Sequence, residues 1–123
     1  MTSLNTKPPS PERGEVWLVN FDPTVGTEIK KTRPAVVVSS DAVGILPIKV
    51  IVPITKWQNS FAGNFWHVKV DPDASNGLTY VSAVDSLQVR GVDTERFVRK
   101  LGTLSSGVLD EIAAAIAIII EYE

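Results

Sequence analysis

A loop that is long for a connection within a small domain concentrates charged side chains. It covers residues 22–34 and holds Glu28, Lys30, Lys31 and Arg33. Pro34 restricts Arg33 to an extended backbone, so the guanidinium is expected at the entrance to a strand. There it could hold a phosphate through two parallel hydrogen bonds. A solvated charged loop with a surface ion pair is the alternative interpretation.

A threonine and a run of aromatic and amide side chains follow the third apolar segment. The hydroxyl of Thr55 could donate to or accept from a reacting group, and an ordinary strand-end threonine is the alternative. Lys56 adds a positive charge beside it. Rings interleaved with amides suit unstacked RNA bases, which need a flat face and a partner for their edge; the candidates are Trp57, Asn59 and Phe61. Packing of some rings in the core is the alternative, expected for Phe65 or Trp66.

Two further polar residues are candidates for an RNA site. A histidine imidazole can take up or release a proton in the physiological pH range, so His67 could serve as an acid, a base or a stacking ring. A strand histidine without a catalytic role is the alternative. Gln88 and Arg90 alternate along a predicted strand and would share one face, which could also be an ordinary polar outer face.

The composition excludes several classes of site. The chain has 123 residues, no cysteine and one histidine, which rules out a disulfide framework and a conventional zinc site. A redox or zinc-dependent function is therefore not expected, and no cofactor is predicted. The net charge is −2, whereas proteins that coat nucleic acid are strongly basic. Any nucleic-acid site must therefore be local.

The hydrophobic pattern predicts many short strands and one terminal helix. Strands are expected at residues 15–21, 35–40, 48–55, 65–70, 78–84 and 86–89. Pro53 suggests a strand end, a bulge or an exposed edge. A helical turn at 93–96 and a return to the sheet at 97–101 follow. Ser105 or Ser106 can cap a helix reaching about Tyr122, apolar enough to be buried on more than one side or in a subunit interface. The expected fold is mainly β, a small barrel with a C-terminal helix.

The ends of the chain bear on its organisation. Residues 1–12 are polar and rich in Pro and Ser, and we interpret them as a flexible leader before a single domain at 13–123. The apolar stretch at 108–120 is shorter than the roughly 20 residues needed to span a bilayer. No membrane association and a cytoplasmic location are therefore expected.

Taken together, three segments resemble the MazF/PemK family of toxin endoribonucleases. The first runs through RGEVW at 13–17, FDPT at 21–24, GTE at 26–28 and RPAVVVS at 33–39. The second is VPIT at 52–55, and the third is QVR at 88–90 with Asp93 and Arg96 after it. The resemblance implies an SH3-like barrel, a homodimer and a type II toxin held in check by a MazE-like antitoxin that blocks the RNA groove.

The resemblance also implies a reaction and its residues. Such enzymes cut single-stranded RNA by attack of the ribose 2′-OH, giving a 2′,3′-cyclic phosphate and a 5′-OH without a metal. By position, Arg33 matches the family's catalytic arginine, Thr55 its catalytic threonine or serine, and Glu28 an acidic residue near the site. Glu28 could orient Arg33 or assist proton removal. A guanidinium hardly deprotonates in a protein, so it is better suited to stabilising phosphate charge than to donating a proton.

The sequence departs from the family pattern at two places, and two other functions are considered. The segment at 29–32 lacks the Gln and glycines common in the family, and Leu87 stands where relatives often have an acid. A gyrase-poisoning toxin of the same fold is one alternative, but such relatives rely on a Trp-Gly-Ile type C-terminus and this sequence reads Glu121-Tyr122-Glu123. A non-catalytic nucleic-acid-binding barrel is the other.

Overall fold

Short β-branched segments joined by turns build one antiparallel sheet with a helix packed against it. The computed structural model describes residues 10–23, 25–28, 31–43 and 46–122, so residues 1–9 of the predicted leader and Lys30 lie outside the described residues. The strands are β1 (Glu15–Asn20), β2 (Thr32–Val37), β3 (Ile48–Lys56), β4 (His67–Val70), β5 (Ser82–Asp85), β6 (Arg90–Asp93) and β7 (Phe97–Thr103). The helix α1 spans Ser106–Ile119.

The strand order is β4-β5-β3-β2-β1-β7, and β6 also pairs with β3. Within the described ranges, the outer strands β4 and β7 do not pair with each other, so the backbone ladder does not close into a full barrel. The predicted mainly β fold with a C-terminal helix is confirmed. The predicted helical turn is also present as a 3-10 turn at Thr94–Arg96, and β7 returns to the sheet directly after it.

Strand β3 is central, and Pro53 lies inside it rather than at a strand end or an exposed edge. Pro53 is buried and sits opposite Ala35 of β2. Along the other edge of β3, the partner changes from β6, which reaches Ile51, to β5, which starts at Ile54. A proline is tolerated here because Pro53 lies in the gap between the ladder with β6 and the ladder with β5. Its missing N–H therefore interrupts neither of these two ladders.

Four predicted strands are displaced, shortened or absent. The strand predicted at 35–40 is β2 at Thr32–Val37, and the one predicted at 65–70 begins only at His67. Residues 86–89, predicted as a strand, form instead the 3-10 turn Ser86–Gln88, in which the Asp85 carboxylate accepts a hydrogen bond from the Leu87 N–H at 3.2 Å. Gln88 therefore does not share a strand face with Arg90. Residues 78–81 were predicted to begin β5 but lie in the preceding loop. Local side-chain capping outcompetes strand pairing at residues 86–89.

The core has one layer on each face of the sheet. Helix α1 covers one face through Leu109, Ile112 and Ala115. Its N-terminus is capped as predicted, because the Ser105 hydroxyl accepts a hydrogen bond from the Val108 N–H. The expectation that the helix is buried on more than one side is wrong for the single chain: Ile118 and Ile120 are 57% and 66% exposed. No helix in the described part of the chain is long and apolar enough to cross a membrane.

The loop between β4 and β5 is docked tightly onto β7. The buried Asn76 side chain accepts hydrogen bonds from the N–H groups of Asp73 and Leu78 and donates one to the Asp71 carbonyl. Gly77 has φ +70°, and a Cβ at this position would collide with the backbone carbonyl of Leu101. This loop therefore needs glycine both for its backbone conformation and for its close approach to β7.

We predict that Gly77→Ala destabilises the protein by about 2 to 5 kcal/mol, because strain in the left-handed conformation adds to a backbone clash. Gly63→Ala is the matched control. Gly63 also has a positive φ, +88°, but nothing lies within 4 Å of its Cβ position, so about 1 to 2 kcal/mol is expected. Urea unfolding measures both. Equal losses in the two variants would show that the Leu101 contact does not matter.

A partly buried ion pair between Glu15 and Lys100 joins β1 to β7. The Glu15 carboxylate accepts hydrogen bonds from the Glu12 N–H and the Trp17 indole, both at 2.9 Å, and lies 3.0 Å from the Lys100 ammonium. Burial alone would raise the pKa of Glu15, but the Glu12, Trp17 and Lys100 contacts together outweigh it and lower the pKa below its ordinary value of 4.5.

A carboxylate with a lowered pKa stabilises the fold above its unfolded-state pKa, and this contribution is lost as pH falls through the folded-state value. We therefore predict that Glu15→Gln lowers the free energy of unfolding by about 1 kcal/mol at pH 7. The difference from wild type should shrink below about pH 4.5. Glu111→Gln, at an exposed helical position, is the control. A pH-independent difference would contradict the assignment.

Candidate active site

A cleft opens where β2 and β3 stop pairing. Their ladder runs from Val37 opposite Ile51 to Ala35 opposite Pro53 and ends there. Continuing the same register by two residues would place Arg33 opposite Thr55. Instead, β3 pairs onward with β5, and β2 pairs onward only with β1. The two strands therefore diverge, and the predicted arginine and threonine stand on the two sides of the gap.

The cleft has a volume of about 420 Å³, and its lining is rich in cationic and hydroxyl groups. Three cationic residues from three strands line it: Arg33 of β2, Lys56 of β3 and Arg99 of β7. Hydroxyl groups are contributed by Thr55, Thr79, Tyr80 and Ser82. Among the described residues no carboxylate lines it. In a chain of net charge −2, this is a local positive site with hydrogen-bond donors, suited to phosphate oxygens.

The remaining loop residue predicted for catalysis lies elsewhere. Glu28 lines a second, more open cleft together with Gln88 and Arg90. Its carboxylate accepts a hydrogen bond from the Val25 N–H at 2.7 Å. Arg33, Thr55 and Lys56 thus line one cleft, whereas Glu28 and Gln88 line the other. Lys31 is exposed at the end of the same loop, where its N–H donates to Asp22.

The predicted aromatic site forms a cluster of rings that contact one another. Phe61 stacks on His67 with ring centres 3.8 Å apart, and Trp57 meets Phe61 edge-on at 5.7 Å. The His67 side chain is only 9% exposed, with Nδ1 3.2 Å from the Asn64 amide and Nε2 3.8 Å from the Asp85 carboxylate. Packing therefore holds this imidazole, while Asn59 is exposed in the adjacent turn.

Two lining residues escaped the sequence argument. Arg99 lies on β7 opposite Leu18, and only the long-range pairing of β1 with β7 brings it to the cleft. Tyr80 fell within a predicted strand, where an aromatic residue is unremarkable. The Asn76-Gly77 turn just before it was the available signal, because a turn shifts the start of the following strand. Within the described ranges, no three His, Cys, Asp or Glu side chains are grouped so as to hold a metal ion.

Comparison with known proteins shows to which family the chain belongs. The family model for PemK-like, MazF-like toxins of type II toxin-antitoxin systems matches residues 12–120. The curated protein Endoribonuclease MazF9 of Mycobacterium tuberculosis is 30% identical over 110 residues, covering 85% of this chain and 91% of that protein.

Solved structures show the same fold. MazF from Deinococcus radiodurans has a TM-score of 0.76 at 23% identity, covering 90% of this chain and 96% of that one. A MazE-MazF structure (form II) from the same organism has a TM-score of 0.71 at 23% identity, covering 92% and 97%. The chain therefore belongs to the PemK-like, MazF-like toxins of type II toxin-antitoxin systems.

Proposed function

We propose that the protein is an endoribonuclease that cleaves single-stranded RNA without a metal ion. The observation that carries the proposal is the cleft between β2 and β3, which Arg33 and Thr55 line together with two further cations, Lys56 and Arg99, and with no carboxylate of the described residues. A relative that covers most of the chain bears the name endoribonuclease, which supports the same conclusion.

In the proposed reaction the ribose 2′-OH attacks the adjacent phosphorus, and the bond from phosphorus to the 5′ oxygen breaks. The products are a 2′,3′-cyclic phosphate and a 5′-OH, and the proton lost by the 2′-OH is balanced by one gained by the leaving oxygen. Negative charge grows on the phosphate oxygens in the transition state. Arg33 would stabilise this charge, and Thr55 would hydrogen-bond the phosphate or the 2′-OH.

Glu28 fits a different role from proton removal. Its carboxylate lies in the second cleft with Gln88 and Arg90. Carboxylate and amide groups accept hydrogen bonds from the amino groups of bases, and an arginine can bind base edges or phosphate. We therefore assign the second cleft to contacts with RNA outside the reacting phosphate.

Two surface features, an apolar face and the cationic cleft, are the basis for the partners that we propose. An apolar groove of about 270 Å³ between α1 and the sheet is lined by Val50 of β3 and by Ala113 and Ile116 of α1. The same two elements carry exposed apolar residues, Ile48 on β3 and Ile118 on α1. We propose that a second copy of the chain covers this face. The cationic cleft would also attract acidic peptide, so a MazE-like antitoxin segment is proposed to block it; the Deinococcus radiodurans MazF has been solved together with MazE.

For the reaction, we predict that Arg33→Ala lowers kcat about 100- to 1000-fold, because a donor aimed at the developing charge is lost. Thr55→Val should lower it strongly and Thr55→Ser should restore most of it. Lys69→Ala, which removes a charge outside the cleft, is the control. The assay uses single-stranded RNA in EDTA, with the 3′ ends analysed. Cleavage by Arg33→Ala at the wild-type rate would refute the mechanism.

The same assay separates the alternatives. Binding of RNA without any product would favour a non-catalytic barrel. Inhibition of gyrase supercoiling without RNA cleavage would favour the gyrase-poisoning toxin.

For the homodimer, we predict a solution mass about twice the 13.4 kDa of the chain. Val50→Glu should shift the protein to monomer, because it places a charge on the apolar face at a position 36% exposed in the single chain. Val98→Glu, on β7 and 56% exposed, is the matched control and should remain dimeric. Light scattering after size exclusion measures both. A monomeric wild type at micromolar concentration would contradict the proposal.

A further inference from the structure

Tyr80 is an exposed aromatic ring at the candidate active site. Its side chain is 60% exposed although it lines the same cleft as Arg33 and Thr55. By contrast, Trp57 and Phe61 are half-buried and contact each other. A large ring left open to solvent beside a cluster of cations offers a flat face to a ligand that carries both rings and negative charge.

The backbone that presents Tyr80 is held firmly. The Tyr80 carbonyl accepts a hydrogen bond from the Ser82 hydroxyl at 2.8 Å. Upstream, the Asn76 side chain holds the loop together internally, while the Ser75 carbonyl accepts a hydrogen bond from the Thr103 N–H of β7 at 2.8 Å and Gly77 packs against Leu101. The ring is thus presented from a fixed wall of the cleft, and binding on its face requires little reordering of the loop.

The face of the ring already receives a cation. The Lys56 ammonium lies 5.0 Å from the centre of the Tyr80 ring, and both residues line the cleft. Lys56 is exposed, so its side chain can move away without breaking a packed core. A base stacking on that face would take the place of the ammonium, which would then be available to a phosphate of the same strand.

We propose that Tyr80 is a stacking platform for one nucleobase of the RNA, next to the phosphate held by Arg33 and Thr55. This inference rests on the proposed function and adds a base subsite to it. Since every base has a π face, the subsite selects for an unpaired base rather than for one base identity.

The test measures binding to an oligonucleotide that cannot react. A fully 2′-O-methylated RNA lacks the attacking hydroxyl, and fluorescence anisotropy gives its Kd. Tyr80→Ala should weaken binding roughly tenfold, whereas Tyr80→Phe should stay within about twofold, because the ring is kept. Tyr122→Ala, which removes a ring 76% exposed beyond α1, should have no effect. Thermal unfolding of each variant checks that the fold is intact.

An abasic scan assigns the effect to stacking. Replacing each base in turn by an abasic site should reveal one position at which wild type loses about tenfold while Tyr80→Ala loses nothing further. Unchanged binding by Tyr80→Ala, or losses that multiply at every position, would overturn the inference. The two proposals can fail separately. Cleavage with Tyr80-independent binding removes only the base subsite, and Tyr80-dependent binding without cleavage removes only the nuclease reaction.

Discussion

Strand β3 pairs with β2 only as far as Pro53 and with β5 only from Ile54 onward. If β2 and β3 stayed paired to their ends, backbone hydrogen bonds would fill the space beside Arg33 and Thr55. The change of partner makes the strands diverge instead, and the cleft occupies the gap. The first requirement of the site is therefore met by backbone pairing, before any side chain contributes.

The cleft is locally positive although the chain as a whole carries a net negative charge, so it is suited to an anionic ligand. Its cations come from β2, β3 and β7, which are distant in sequence, and Arg99 reaches it only because β1 pairs with both β2 and β7. Acidic groups are placed elsewhere: Glu15 is paired with Lys100, and Glu28 is tied to its own loop. A charge count over the chain therefore says little about a field that acts within a few ångströms.

What the sequence predicted well depends on short-range rules. The cap at Ser105, the turn at Thr94–Arg96 and the strand entrance at Arg33-Pro34 are set by neighbouring residues. Features decided by distant partners were missed or wrong. Pro53 is tolerated mid-strand because β3 changes its partner there from β6 to β5. Tyr80 lines the cleft from a loop that packs against β7.

The loop between β1 and β2 can vary without moving the arginine that follows it. Arg33 is fixed by its pairing with Val19 inside the sheet. The start of the loop is held separately, because the Arg96 guanidinium donates hydrogen bonds to the carbonyls of Asn20 and Asp22 at 2.9 and 2.8 Å. Substitutions in the loop between these two anchors are therefore expected to change contacts with a ligand more than they change the backbone position of Arg33.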